Sequence, residues 1–158
     1  MTSPETKPIL IDADDAAYDL KDIIVEHIRS KGHEVIDLKH MQEEETYYPG
    51  VAYNLAKKIS GGEADKGILI CGTGLGMAIT ANKVKGVFAG TCHDVYSAER
   101  LRKSNNANVL TFGARVIGSE LAKMVVDAFL ESEFAGGGST VKVEQMRSID
   151  NETLGGCC

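Results

Sequence analysis

The sequence lacks both long apolar runs and an excess of positive charge. Its apolar runs are far too short to span a bilayer, and its N-terminal stretch MTSPETKP has no signal-peptide pattern. Lys and Arg number 17 against 23 Asp and Glu, a formal net charge of −6. This balance argues against nucleic acid or an anionic membrane as the main partner, although a few local donors suffice to bind one phosphate. We therefore expect a cytoplasmic protein.

Cysteine is also scarce, and its spacing is not that of a metal site. The four cysteines are Cys71, Cys92, Cys157 and Cys158, and no pair has zinc spacing or a C-x-x-C pattern. In a reducing compartment all four are expected to be free thiols. Cys157 and Cys158 have no basic region beside them, so they are interpreted as part of a loose tail rather than as a lipidation signal.

What the sequence does contain is a regular alternation of strand and helix patterns. Short apolar runs predict strands over residues 8–12, 33–38, 67–71, 87–92 and 109–112. Helical spacing of apolar residues predicts helices over residues 16–31, 49–60, 75–83, 95–103, 119–130 and 140–149, and residues 39–48 are expected to be a loop. Such alternation requires right-handed crossovers and a parallel sheet covered on both faces. The prediction is a three-layer α/β fold with about five parallel strands and a C-terminal helix.

The chain length fits one domain, expected over residues 8–150 between an N-terminal tail, 1–7, and a flexible C-terminal tail, 151–158. Ligands of such folds bind at the carboxyl ends of the strands, near the point where the strand order reverses. Three polar clusters follow predicted strands: Asp12-Asp14-Asp15, Cys71-Gly72-Thr73 and His93-Asp94.

The segment CGTGLG, which begins at Cys71, joins a predicted strand to a predicted helix. Glycines in such a loop let an anion approach the N–H groups that begin the helix. The spacing is not G-x-G-x-x-G and no P-loop lysine follows, so a nucleotide site is the weakest interpretation. A thiol near a helix N-terminus is more often a thiolate. Cys71 could instead be a small buried strand residue, but the glycines favour a functional thiol.

Two long segments of the sequence resemble a known protein family. ILICGTGLGMAITANKV and SNNANVLTFGARVIGSELAKMVVDAFL resemble the type-B ribose-5-phosphate isomerase and galactose-6-phosphate isomerase subunit family, over Ile9 to about Ile149. The resemblance implies a Rossmann-like sheet and a homodimer, or a dimer of dimers, with active sites between subunits. It also implies an isomerase of phosphorylated sugars that needs no metal or other cofactor and converts aldose to ketose through an enediol.

The resemblance further implies roles for individual residues. Cys71 matches the base that moves a proton between C1 and C2, and Thr73 matches a residue that contacts the base and the substrate. Asp14 matches an acid that binds substrate hydroxyls. The remaining matches are Gly72, Gly74 and Gly76 as the cradle for the enediolate oxygen, Tyr48 in the pocket wall, Asn105 as a partner-chain contact and Arg115 as a phosphate ligand.

Three departures from the ribose enzymes concern the substrate. Asp15 replaces a histidine near the phosphate, and Ser104 replaces the histidine that opens the furanose ring. Gly138 and Lys142 stand where two arginines bind the phosphate. Because the proton-transfer groups are retained, these changes indicate an altered substrate rather than an inactive enzyme.

A four-carbon substrate accounts for these departures, since a tetrose 4-phosphate cannot close a furanose ring. The chain resembles the branch of the family that interconverts D-erythrulose 4-phosphate and D-erythrose 4-phosphate. One alternative is ribose-5-phosphate isomerase activity, with His93 in place of the missing ring-opening histidine. Others are a subunit of a two-chain galactose-6-phosphate isomerase, a non-catalytic sugar-phosphate-binding subunit, and a redox sensor acting through Cys71.

Overall fold

A computed structural model of the protein describes residues 6–155 and shows strands that alternate with helices. The strands are β1 (Ile9–Ala13), β2 (Val35–Asp37), β3 (Lys66–Cys71), β4 (Ala89–Thr91) and β5 (Val109–Gly113). The α-helices are α1 (Tyr18–Ser30), α2 (His40–Glu43), α3 (Tyr48–Ser60), α4 (Leu75–Ala81), α5 (Val95–Lys103), α6 (Ser119–Glu131) and α7 (Thr140–Leu154), and the 3-10 turn Gly137–Ser139 precedes α7. The predicted strands and long helices are confirmed in type and order.

Two segments differ from their prediction. The expected loop over residues 39–48 contains the short helix α2, and α7 continues to Leu154, beyond residue 149. Cys157 and Cys158 lie outside the described residues. Within residues 6–155, no helix combines the length and the apolar character that crossing a bilayer demands.

The five strands form one parallel sheet in the order β2-β1-β3-β5-β4. The connection after β1 leads outward to β2, whereas the chain then crosses back to place β3 on the other side of β1. The strand order therefore reverses between β1 and β3, and ligands of such folds bind at the carboxyl ends of the strands near this point. The predicted three-layer α/β fold is confirmed.

The strands bury both faces, because successive side chains point to opposite sides of the sheet. Ile68 and Ile70 face a core that α1, α5 and α6 cover, whereas Leu69 and Cys71 face a second core beneath α3 and α4. All four side chains are at most 5% exposed. The side chain of Cys71 therefore lies on the α3–α4 side.

Helix α2 is held by a buried polar network that links it to β1, α1 and β2. The Asp12 carboxylate accepts the N–H of Ala13 through Oδ1 at 2.8 Å and that of His40, the first residue of α2, through Oδ2 at 3.0 Å. Lys21 is 1% exposed, and its Nζ lies 2.9 Å from Asp37 Oδ2 and 3.2 Å from Gln42 Oε1. Burial raises the pKa of Asp12 despite these hydrogen bonds and the nearby Lys21 charge. A buried charge needs such partners, so this network fixes the chain that leads to α3.

Candidate active site

The carboxyl ends of β1 and β3 bring Asp14 and Cys71 to the same edge of the sheet. Ala13 pairs with Ile70 in the parallel register, and the N–H of Asp14 donates to the carbonyl of Ile70 at 3.2 Å. Asp14 and Cys71 thus begin adjacent loops at the point where the strand order reverses. The structure brings together the two residues that the sequence singles out as acid and base.

Cys71 is the last residue of β3, and its side chain is 5% exposed. The chain then turns back, so that the N–H of Gly74 donates to Cys71 Sγ at 3.1 Å. Gly74 has the left-handed backbone φ of +79°, which glycine adopts without the penalty that a Cβ brings. A hydrogen bond from a backbone N–H is stronger to an ionised acceptor than to a neutral one. The loop therefore offers the sulfur a donor suited to a thiolate.

Two threonines, buried Thr111 and half-buried Thr91, hold the other side of this loop. Thr111 Oγ1 donates to the carbonyl of Gly74 at 2.9 Å, and Thr91 Oγ1 lies 3.3 Å from the same carbonyl oxygen. The two hydroxyls lie 2.7 Å apart. Sequence reasoning missed both residues, although a polar residue inside a buried apolar strand was a signal that could have found Thr111.

The three glycines of the loop each lie against a protein group. A Cβ on Gly72 would approach Arg115 Nη1 to 3.2 Å, and one on Gly74 would come within 2.8 Å of the Phe112 backbone. A Cβ on Gly76 would collide with the ring of Tyr48. In this structure, therefore, protein groups approach the glycines closely. These groups are Arg115 at Gly72, β5 at Gly74 and the Tyr48 ring at Gly76. Their role in binding the enediolate oxygen stays a prediction.

Asp14 follows β1 and Arg115 follows β5, so an acidic and a basic side chain lie near the loop that begins at Cys71. Asp14 is half-buried, and its Oδ1 accepts the N–H of Ala16 at 3.1 Å. Burial raises the pKa of Asp14, and the negative charge of exposed Asp15 adds to this rise. The hydrogen bond from the Ala16 N–H and the positive charge of Arg115 lower the pKa, but they do not cancel the effect of burial. Arg115 is exposed, and its N–H donates to the carbonyl of Gly72 at 3.0 Å. Its guanidinium therefore lies outside the hydrophobic core and close to Gly72 of the glycine loop.

Thr73, Tyr48 and His93 complete the cluster at this edge of the sheet. Thr73 is exposed, and its Oγ1 accepts the N–H of Leu75 at 3.4 Å. Tyr48 begins α3 and is 42% exposed. His93 Nε2 accepts the N–H of Gly113 at 2.9 Å.

Asn105 and Lys142 do not join this cluster within the chain. Helix α5 starts at the carboxyl end of β4 and returns, so that Asn105 precedes β5 at the amino edge of the sheet. Helix α7, which carries the exposed Lys142, is anchored where Asp150 Oδ2 accepts the N–H of Gly86 at 2.8 Å, just before β4. Any contact of Asn105 or Lys142 with the site of Cys71 would have to come from another copy of the chain.

The other described cysteine, Cys92, has a different environment. Burial, with the Asp94 charge as a smaller cause, raises the pKa of the Cys92 thiol from 9.0 to about 11. The folded protein thus holds this proton more tightly than the unfolded chain does. The resulting stabilisation is present in full below pH 9.0 and is lost as the pH rises towards about 11.

We expect the free energy of unfolding to fall more steeply between pH 9 and 11 in the wild type than in Cys92→Ala. Urea titrations of both proteins at several pH values measure this difference, and the comparison removes the contributions of lysines and tyrosines, which both proteins share. If the free energy of unfolding fell equally steeply with pH in both proteins above pH 9, burial would not protect the Cys92 thiol from ionisation.

The described residues form no metal-binding cluster: residues 6–155 contain no group of three or more His, Cys, Asp or Glu side chains suitably placed to hold a metal ion. The site is instead a set of one thiol, one half-buried carboxyl, one guanidinium and loop N–H groups. Such a set can remove a proton from carbon and bind an anionic substrate.

Comparisons with known proteins show which family the chain is similar to. The ribose/galactose isomerase family model matches residues 9–146. D-erythrulose-4-phosphate isomerase of Pectobacterium atrosepticum is 54% identical over 145 residues, covering 91% of this chain and 95% of the relative. Ribose-5-phosphate isomerase B of Escherichia coli is 46% identical over 144 residues, covering 91% and 97%. The structure of ribose-5-phosphate isomerase B from Clostridium thermocellum superposes with a TM-score of 0.86 at 40% identity, covering 92% of this chain and 98% of that one.

Proposed function

The chain belongs to the ribose/galactose isomerase family, and we propose that it interconverts D-erythrulose 4-phosphate and D-erythrose 4-phosphate with Cys71 as the base. It is an aldose–ketose isomerase of sugar phosphates. The observation that carries the choice of base is the 3.1 Å hydrogen bond from the Gly74 N–H to Cys71 Sγ. The choice of sugar is supported by the 54% identity to a D-erythrulose-4-phosphate isomerase.

The reaction moves one proton between neighbouring carbons and changes no oxidation state overall. Starting from the aldose, the Cys71 thiolate removes the C2 proton, and the electron pair shifts to make an enediolate. The C2 hydroxyl proton passes to O1, and the Cys71 thiol returns its proton to C1, which gives the ketose. N–H groups of the glycine loop stabilise the oxygen as its charge grows.

The other residues of the cluster bind and orient the substrate. Asp14, half-buried beside Cys71, accepts hydrogen bonds from substrate hydroxyls, and Thr73 lies in the same loop as the base. Arg115 and Tyr48 line the opening, where the guanidinium is a bidentate partner for phosphate. Asn105 and Lys142 reach the substrate from the second subunit of a cytoplasmic homodimer or dimer of dimers.

The residue at the ring-opening position supports a substrate with four carbons. The C4 oxygen of a tetrose 4-phosphate is esterified, so no furanose ring closes and no acid is needed to open one. Ser104, where the family resemblance implies a histidine, cannot supply such an acid near neutral pH. The phosphate also lies one carbon nearer the reacting end than in a pentose 5-phosphate, which fits the altered Asp15 and Lys142 positions.

A panel of tetrose, pentose and hexose phosphates tests the choice of substrate. We expect kcat/KM for D-erythrulose 4-phosphate to exceed that for ribose 5-phosphate by about 10- to 100-fold, the discrimination that one carbon unit typically gives. A coupled spectrophotometric assay of the purified chain measures both values. A preference for ribose 5-phosphate would identify a ribose-5-phosphate isomerase. Turnover that needs a second, related chain would identify a subunit of a two-chain enzyme.

A further inference from the structure

The parallel ladder between β4 and β5 ends before the last residue of β5. The N–H of Cys92 donates to the carbonyl of Thr111 at 3.0 Å, which is the last rung of backbone pairing beyond Thr91. Along β5 the N–H groups alternate in direction, so that Ala114 donates to Cys71 on the β3 side while Gly113 points to the β4 side. Backbone from β4 no longer faces Gly113. The His93 side chain fills that place and accepts the Gly113 N–H through Nε2 at 2.9 Å.

Gly113 lies directly beneath the loop that carries the base. A Cβ on Gly113 would lie 2.5 Å from Thr73 Cα and 2.6 Å from the carbonyl oxygen of Gly72. The next two N–H groups hold the same loop, since Ala114 donates to Cys71 O at 2.8 Å and Arg115 to Gly72 O at 3.0 Å. A shift of Gly113 would therefore move Cys71 and the residues that follow it.

The hydrogen bond also fixes the state of the imidazole. A backbone N–H only donates, so His93 Nε2 has to be unprotonated and any ring proton resides on Nδ1. Gly113 is buried, and loss of this acceptor would leave its N–H without compensation. Nε2 therefore has no proton to give to a substrate.

From these contacts we propose that His93 is a positioning residue: its Nε2 holds the Gly113 amide and thereby fixes the loop of Cys71. The proposal rests on the isomerase function proposed above. It differs from a ring-opening role, in which His93 would act on cyclic substrates alone. A positioning residue affects every substrate alike, because it acts through Cys71.

Two substitutions separate the hydrogen bond from the bulk of the ring. His93→Gln carries a carbonyl oxygen at about the distance of Nε2, whereas His93→Phe keeps the ring but removes the acceptor. We expect kcat of His93→Phe to fall about 10- to 100-fold on both D-erythrulose 4-phosphate and ribose 5-phosphate, with little change in KM. His93→Gln should stay within about threefold of the wild type, since the acceptor is restored. His33→Phe makes the same replacement at an exposed histidine before β2, and it is the matched control. It should leave kcat unchanged on both substrates.

Amide hydrogen exchange provides a readout that does not depend on turnover. Exchange at Gly113 and Arg115 should be faster in His93→Phe than in the wild type and His93→Gln, while amides of α6 remain unchanged. Loss of ribose 5-phosphate turnover alone in His93→Gln would overturn the proposal in favour of ring opening. Wild-type kcat and exchange rates in His93→Phe would also overturn it. A wild type inactive on every sugar phosphate would refute the isomerase function, and the exchange rates would still decide whether His93 holds the loop.

Discussion

Replacement of Cys71 by serine is expected to lower kcat by about 10²- to 10⁴-fold, the range that a positioned general base contributes. The serine hydroxyl can still accept the N–H of Gly74, so the loop should keep its shape. A hydroxyl, however, is a much weaker acid than a thiol and does not supply an anion near neutral pH. Because the change removes a transition-state interaction, KM should change little. Steady-state kinetics on D-erythrulose 4-phosphate measure both constants.

The control for this substitution is Cys92→Ser, since Cys92 is the other buried cysteine of the described residues and lies outside the proposed chemistry. It should retain nearly wild-type kcat. Solvent deuterium incorporation at the carbon next to the carbonyl should disappear in Cys71→Ser and persist in Cys92→Ser. Deuterium incorporation that survives in Cys71→Ser at the wild-type rate would assign the base to another residue.

Cys71→Ser also tests whether the site lies between subunits. Asn105 follows α5 at the amino edge of the sheet, and Cys71 ends β3 at the carboxyl edge. If the partner supplies Asn105, each mixed dimer of Cys71→Ser and Asn105→Ala contains one intact site and one doubly altered site. Random association then restores about a quarter of the wild-type sites in a two-fold dimer. Co-expression with two affinity tags measures this, and mixtures that stay as inactive as the separate variants would place both residues in sites of a single chain.

The second large effect is expected from Gly74→Ala. Gly74 has φ of +79°, which costs a residue with a Cβ about 1–2 kcal/mol. Its Cβ would also lie 2.8 Å from backbone atoms of Phe112, and such overpacking adds about 1–3 kcal/mol. The free energy of unfolding should fall by about 2–5 kcal/mol in total. Relief of the clash moves the Gly74 N–H away from Cys71, so kcat should fall by about 10²-fold.

Gly86→Ala is the matched control, because Gly86 has the same φ of +79° and a Cβ there would meet no atom within 4 Å. It should cost only the backbone penalty of about 1–2 kcal/mol and leave kcat unchanged. Denaturant titration and kinetics of both variants separate the conformational cost from the steric cost. Equal losses of stability and activity at Gly74 and Gly86 would contradict the close contact between this loop and β5.

The fold was predictable from local patterns, because each long element carries its own signal. Pro49 lies in the first turn of α3, and the Asp94 side chain accepts the Ser97 N–H at the start of α5. Hydrogen bonds from Ser97 accordingly lower the pKa of Asp94. Helix α2 escaped prediction, since its first N–H is capped by Asp12, which lies 28 residues away in the sequence. A contact of that kind leaves no periodic pattern in the segment itself.

The location of the candidate site residues at one edge of the sheet was predictable, whereas the groups that hold them in place were not. Cys71, Asp14 and the glycines follow strands, and a parallel sheet gathers the carboxyl ends of its strands at one edge. The groups that hold these residues come from β4 and β5, and include Thr111 and the His93 ring. Lys21 likewise follows a helical pattern that does not reveal its burial against Asp37.

The sequence by itself determined the order of the elements, the parallel sheet and the position of Cys71 and Asp14 at the carboxyl ends of strands, because periodicity, glycine and proline act over a few residues. The tertiary structure alone decided which protein groups press against each glycine and which acceptor satisfies the Gly113 amide. It also decided that Asn105 lies at the opposite edge from Cys71. Such pairings join residues that are distant in sequence. Their geometry depends on strand order and register, which emerge only when the two cores pack.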